Sequence, residues 1–155
     1  MTKLRTRLAF VVLGVSLGCA SAPNLSPSRR AQEQAILALI QRASREAPAT
    51  SAVLAVCVNG QRTSRSVLER LQSQSSTPLV SCNRAFDSRD GKYFDRATEK
   101  RLWAVDLTDV QLNGPSGSAE GSVHCGLTCG GSHLITLAQA NGVWSVVETL
   151  EVSVF

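Results

Sequence analysis

The feature that most constrains the fold is an alternation of apolar and polar residues that begins at Leu102 and continues to the end of the chain. An alternation with a period of two is typical of strands that bury one face. Turn sequences interrupt it at residues 113–117 and at Asn141-Gly142, a dipeptide that favours a tight hairpin. We therefore expect a four-stranded antiparallel meander, with its strands at residues 102–112, 119–125, 134–138 and 143–155.

The alternation changes phase inside the first of these strands. Apolar residues occupy odd positions from Trp103 to Leu107, but even positions at Val110 and Leu112. One extra residue in a strand shifts the phase in this way while the same face stays buried. The sequence therefore predicts a β-bulge near residues 108–109.

Residues 31–43 have the pattern of one amphipathic helix. Apolar residues recur there at helical spacing, and charged or amide side chains occupy most of the other positions. Ser26 or Ser28 can cap the first turn, and Pro48 ends the pattern. We expect this helix to pack its apolar stripe against the core.

A strand-helix-strand unit follows the helix. The continuous apolar run Val53–Val58 is typical of a strand buried on both faces. A short helix over residues 64–73 and a strand over residues 78–82 complete the unit. The segment 84–101 is rich in charges of both signs, so we expect a solvated loop with a turn at Asp90-Gly91. Together the patterns predict one α+β domain over residues 29–155: an N-terminal helix, strand-helix-strand, then the meander.

Residues 1–18 have the pattern of a secretory signal peptide. Basic residues precede an uncharged run from Leu8 to Gly18, which is shorter than the roughly 20 residues of a transmembrane helix. The segment Ser16-Leu17-Gly18-Cys19 resembles the lipobox of bacterial lipoproteins, although Leu is usual where this chain has Ser16. The resemblance implies lipid on Cys19, a membrane anchor, and a flexible tether over residues 19–28. Cleavage after Ala20 or Ala22 is the alternative, and it would give a soluble periplasmic or secreted protein.

Assigning Cys19 to lipid leaves four of the five cysteines. Disulfides are the default for thiols in an oxidising envelope. We expect Cys57 to pair with Cys82, joining neighbouring strands, and Cys125 to pair with Cys129 at a hairpin tip. Four cysteines allow three connectivities, so crossed pairings stay open.

Two other functions are compatible with the segment His124-Cys125-x3-Cys129-x3-His133: a metal site and a redox pair. Two thiolates and two imidazoles suit Zn²⁺ or Cu(I), and the two cysteines alone suit a redox pair. If Cys125 lies opposite Ser132, the two histidines face each other across the hairpin. Under the disulfide interpretation no metal or other cofactor is expected, and both histidines are solvent-exposed hairpin residues.

The same hairpin carries a family resemblance. The sequence Cys125-Gly-Leu-Thr-Cys129-Gly, followed by an apolar strand and Asn141-Gly-Val-Trp144-Ser-Val, is similar to small exported bacterial domains that share a CGxxCG hairpin and an NGxWxV segment. The resemblance covers the C-terminal part of the chain and implies a fold, since that group has no established activity. Trp144 is then expected to pack the last hairpin onto the core.

Charge and motifs narrow the function. The chain has 16 Lys and Arg residues against 12 Asp and Glu, but three of the basic residues lie in the signal segment. The remaining balance is close to neutral, which argues against nucleic-acid binding by phosphate neutralisation. G-x-S-x-G and a phosphate loop are absent from the sequence, and no Ser-His-Asp arrangement can be named from it. The leading hypothesis is a non-enzymatic, disulfide-stabilised binding or accessory domain of the bacterial envelope, with a protein or small-molecule partner. A metal-handling or thiol-redox protein is the alternative.

Overall fold

The computed structural model describes residues 25–47, 53–82, 86–89, 91–126 and 128–154. The predicted signal peptide, Cys19 and most of the predicted tether lie outside these residues. Within them the chain forms a mixed α+β domain, as expected, and neither described helix is long and apolar enough to cross a membrane. The elements in chain order are α1 (Pro27–Glu46), β1 (Val53–Val58), β2 (Gln61–Arg62), α2 (Arg65–Gln72), β3 (Leu79–Ser81), β4 (Phe86–Arg89), β5 (Lys92–Asp95), β6 (Leu102–Asn113), β7 (Ser116–Gly126), β8 (Cys129–Ala140) and β9 (Val143–Val154).

One sheet contains all the described strands. β1 lies inside it and runs parallel to β3 on one side and to β6 on the other, which explains its continuous apolar sequence. β6, β7, β8 and β9 pair antiparallel in succession. The turn from β8 to β9 is Asn141-Gly142, and both residues have the positive φ angles that a tight hairpin needs.

The arrangement differs from the expected pattern in two places. The short strand β2 pairs with the end of β1 before α2 begins, so the strand-helix-strand unit is interrupted. The segment 84–101, which we expected to be a solvated loop, contains the hairpin β4–β5, with Gly91 in its turn. That expectation was wrong because charged residues dominate the segment and mask two four-residue strands.

The predicted bulge in β6 is present. The register between β6 and β7 shifts between Leu107 and Asp109, so Thr108 is the extra residue. Val110 and Leu112 therefore return to the same face as Trp103 and the rest of the apolar row. A bulge also bends its strand and increases the local twist.

α1 packs along the face of the sheet that carries this apolar row, which we call the inner face. The helix is capped by the side chain of Ser26, which accepts a hydrogen bond from the backbone N–H of Arg29. Trp144 is buried in the same core, as predicted. Glu33 on α1 is buried and accepts hydrogen bonds from Arg70 on α2, at 3.1 Å from Nε to Oε1, so an ion pair joins the two helices. The hydrogen bond with Glu33 stabilises the charged guanidinium and raises the pKa of Arg70 above its ordinary value.

Both expected disulfides are formed. Cys57 at the end of β1 pairs with Cys82 directly after β3, with their Cα atoms 5.0 Å apart. Cys125 pairs with Cys129 across the β7–β8 hairpin, with a Cα separation of 5.2 Å. The first bridge joins two neighbouring parallel strands, and the second closes the end of one hairpin.

We expect the two disulfides to contribute unequally to stability, because their sequence separations are 25 and 4 residues. The loop-entropy model assigns about 3.5 kcal/mol to the longer loop and about 2 kcal/mol to the shorter one. Urea unfolding of Cys57→Ala/Cys82→Ala and of Cys125→Ala/Cys129→Ala, both without reductant, measures the two contributions. A larger loss in the second variant would contradict the entropic ranking.

Candidate binding cleft on the outer face of the sheet

The described residues cover one end of the face of the sheet opposite α1, which we call the outer face. There Tyr93 of the β4–β5 hairpin packs on a small second core. The buried residues of this core are Val53, Ala55, Leu102 and Ala104. Farther along β7 and β8, Ser122, Ser132 and Leu134 share the outer face but are only partly buried. The sheet therefore leaves this region accessible.

A cleft of about 290 Å³ lies in the accessible region of the outer face. Its lining residues are Thr108, Glu120, Gly121, Ser122, Ser132, His133, Leu134 and Val152. Leu134 and Val152 give it an apolar wall, while one carboxylate and three hydroxyls give it polar groups. This volume is close to the lower limit of small-ligand pockets, about 300 Å³.

Two β-bulges flank the cleft and explain its shape. Thr108 is the bulge residue of β6, and its hydroxyl donates to the carbonyl oxygen of Glu120 at 3.0 Å. Val152 is the extra residue of β9, where the register with β8 shifts between Ser132 and His133. Because a bulge bends its strand and increases the local twist, one on each side of β7 and β8 distorts this part of the sheet. The phase change in the sequence predicted the bulge at Thr108 but not the one at Val152.

The carboxylate of Glu120 is the main charged group of the cleft. It is exposed, and it has no hydrogen bond or ion pair within the described part of the chain. Asp109 lies directly opposite it on β6, and its own carboxylate accepts from Val110 N–H and from the Gln111 side chain. Like charges opposite each other on neighbouring strands repel, so the site favours a positively charged partner.

Ser122 connects the cleft to His124. Its Oγ lies 2.6 Å from Nε2 of His124, two residues along the same face of β7. Asp106 is the partner of Ser122 in the register with β6, which makes it the diagonal neighbour of His124. The backbone N–H of Gly60 donates to both oxygens of Asp106, at 3.1 and 3.0 Å. Burial lowers the pKa of His124, and the charge of Asp106 offsets part of this effect.

The two histidines do not face each other. His124 pairs with Gly130, and His133 pairs with Gly121, so the register with Cys125 opposite Ser132, which would bring the histidines face to face, is not formed. The bulge at Cys125 and the short turn before Cys129 shift the register and place the two imidazoles on opposite faces of the sheet. His133 is also buried, not exposed as expected, because it lies on the inner face.

The hairpin residues proposed as metal ligands are therefore not brought together. Cys125 and Cys129 are joined in a disulfide, and the two histidines are separated by the sheet. Among the described residues, no group of three or more His, Cys, Asp or Glu side chains converges on one point. A thiol-redox or metal reaction at this hairpin would first require reduction of the disulfide.

Comparison with known proteins identifies no relative: no family model, curated protein or solved structure matches the chain.

His133 makes stability dependent on pH. Burial lowers its pKa most, the charge of Arg42 lowers it further, and the charges of Glu151 and Glu46 raise it. Because the folded-state pKa lies below that of the unfolded chain, the unfolded chain binds the proton first as the pH falls. The contribution of neutral His133 to stability is therefore complete at pH 7.5 and is lost as the pH falls below about 6.5, the ordinary pKa of histidine.

We expect a lower urea midpoint at pH 5.0 than at pH 7.5, and a smaller difference in a His133→Gln variant. The chain has two histidines, so His124→Gln measures the contribution of the other one. If His133→Gln keeps the whole pH dependence of the wild-type protein, the assignment to His133 fails.

Proposed function

We propose that this protein is an exported, lipid-anchored domain that binds a small, positively charged and partly apolar molecule in the outer-face cleft. The observation that carries the proposal is the cleft itself, where an unpaired carboxylate stands beside an apolar wall. Small-molecule sites commonly combine an apolar surface with a few convergent polar groups. The two disulfides support a stable scaffold for binding outside the cytoplasm.

The lining residues favour one arrangement of the ligand. A cationic group placed beside Glu120 neutralises a carboxylate that has no partner among the described residues and reduces its repulsion with Asp109. Leu134 and Val152 can then contact the apolar part of the same molecule, and the hydroxyls of Ser122 and Ser132 can donate or accept. A free anion is disfavoured, because no lysine or arginine in the described part of the chain lines the cleft.

Membrane anchoring through Cys19 is supported by the sequence. The signal-like segment precedes this cysteine, and seven residues, most of them small or polar, separate it from Pro27 at the start of α1. A random coil of about seven residues spans roughly 13–16 Å. A domain on such a tether stays near the membrane surface and collects small molecules there as an accessory component of the envelope.

We expect an exporting bacterial host to attach lipid at Cys19. Growth with an alkyne analogue of palmitate should label the wild-type protein, and a Cys19→Ala variant should be unlabelled and shifted to the soluble fraction. Intact mass then gives the first residue of the mature chain. A mature chain that starts at residue 21 or 23 without lipid would contradict the anchor and leave the cleft proposal standing.

Benzylamine is a suitable probe of the cleft, because it joins an ammonium group to a small apolar ring. We expect it to shift the backbone amide NMR signals of residues 120–122 and 132–134, with a Kd on the order of 1 mM. Benzoate, which has the opposite charge, should cause no such shifts. An ion pair at an exposed carboxylate contributes about 0.2–1 kcal/mol, so Glu120→Gln should weaken benzylamine binding about two- to fivefold.

Glu148→Gln is the matched control. Glu148 is exposed on the outer face of β9, where it pairs with Thr136, and it does not line the cleft. This variant should bind benzylamine as the wild-type protein does. Equal weakening in both variants, or equal binding of benzoate, would show a general charge effect and would overturn the proposed site.

A further inference from the structure

We infer that Ser122 is a nucleophile and His124 its general base, in a site that hydrolyses carboxylic esters. The inference rests on the position of one hydroxyl. Ser122 lines the cleft, and the same Oγ lies 2.6 Å from Nε2 of His124. A nucleophile and a base within hydrogen-bond reach, with the nucleophile exposed to a ligand cleft, are the first geometric requirement of acyl transfer.

The backbone explains why these two side chains meet. Residues 122 and 124 are two apart on β7, so both side chains project from the outer face. The cross-strand partner of His124 is Ala104, whose small side chain leaves room for the imidazole. Pairing with β6 on one side and with β8 on the other holds the strand rigidly, so the Ser122–His124 contact does not depend on a loop.

The surroundings of His124 suit a base. Partial burial lowers its pKa, which keeps the imidazole neutral at neutral pH and able to accept a proton. Asp106 lies diagonally across β6 and is held by Gly60, so its negative charge stabilises the imidazolium that forms during the reaction. Asp106 acts through His124 and is a positioning residue in this scheme.

The proposed reaction is balanced with water as the second reactant. The Oγ of Ser122 attacks the ester carbonyl and passes its proton to Nε2 of His124. The C–O bond to the alcohol breaks, and the alcohol leaves with the proton from the imidazolium. Water then attacks the acyl-serine and gives a proton to His124, which returns it to Oγ as the carboxylic acid leaves. Ser132, opposite Ser122 in the register and in the same cleft, supplies a hydroxyl donor for the carbonyl oxygen.

The substrate class follows from the proposed function, on which this step of the inference rests. An ester that carries an ammonium group can place it beside Glu120 while its carbonyl lies at Ser122, two residues away along the same face. We therefore expect the 4-nitrophenyl ester of phenylalanine, which has a free ammonium group, to react faster than its N-acetylated form. This preference should disappear in Glu120→Gln.

The nucleophile is tested directly with a fluorophosphonate probe on the full mature chain. The Oγ–P bond forms as the P–F bond breaks, fluoride leaves, and the hydroxyl proton goes to His124. We expect one adduct by intact mass, located on Ser122 by peptide mapping, and none in Ser122→Ala. Ser118→Ala is the matched control, because Ser118 lies on the same face of β7 but outside the cleft. It should be labelled as the wild-type protein is.

The base is tested with His124→Gln. General-base catalysis contributes about 10²–10⁴-fold, so the rate of 4-nitrophenyl acetate hydrolysis should fall about 100-fold or more. The wild-type rate should fall as the pH drops through an apparent pKa below the ordinary histidine value. Asp106→Asn removes the charge that raises this pKa, so the acidic limb of the profile should move to lower pH while Ser122 remains reactive.

The outcomes separate this inference from the proposed function. Ser122→Ala should unfold cooperatively in urea and keep the wild-type amide NMR pattern outside residues 120–124, which shows that the variant is folded. If the wild-type protein binds benzylamine but is not labelled, or if Ser122→Ala is labelled equally, the assignment of Ser122 as the nucleophile is wrong. Only the proposed binding function is then supported. If labelling occurs at Ser122 without benzylamine binding, the nucleophile is supported and the cationic ligand class is wrong.

Discussion

The close contact between α1 and β7 is the interaction on which the rest of the structure depends. Gly121 lies directly below Leu39 of the helix, and a Cβ atom at this glycine would be only 2.5 Å from Leu39 Cδ1. A Cβ atom at position 121 would also lie 2.8 Å from the backbone carbonyl oxygen of Asp106, so any other residue would force Leu39 into another rotamer and shift the backbone of β6 or β7. Because the helix covers the inner face so closely, the apolar core lies on that side. The outer face behind Gly121 can therefore carry polar groups, and Gly121 itself is part of the cleft wall.

Much of this fold could be predicted from the sequence, because the strongest signals are local periodicities. The helix α1, the buried strand β1, the Asn141-Gly142 hairpin and the bulge at Thr108 each follow from the order of apolar residues along a short segment. The β4–β5 hairpin could not be predicted in this way, since its strands are short and highly charged. The bulge at Val152 was also missed, because the apolar residues around it, Leu150, Val152 and Val154, remain exposed and show no phase change against a buried face.

The site depends on register, and this is why the sequence could suggest its residues only in part. His124 and His133 attract attention through their spacing around two cysteines, yet a one-residue bulge at Cys125 and the strand register place them on opposite faces. Ser122 is inconspicuous in the sequence. It becomes significant only once residues 120–124 form a strand, because alternation then brings it next to His124. Asp106 comes from a different strand, and no local pattern connects it to the other two.

The residues that set the electrostatic environment of His124 are connected to the longer disulfide through β1. Cys57 is the partner of Asp106 in the parallel register between β1 and β6, and its bridge to Cys82 joins β1 to β3. The turn that follows β1 contains Gly60, whose backbone N–H donates to both carboxylate oxygens of Asp106. A displacement of β1 would thus move Gly60 and change the position of the charge that acts on His124. The disulfide therefore stabilises the fold and also restrains the electrostatic environment of the site, since both effects act through the same end of β1.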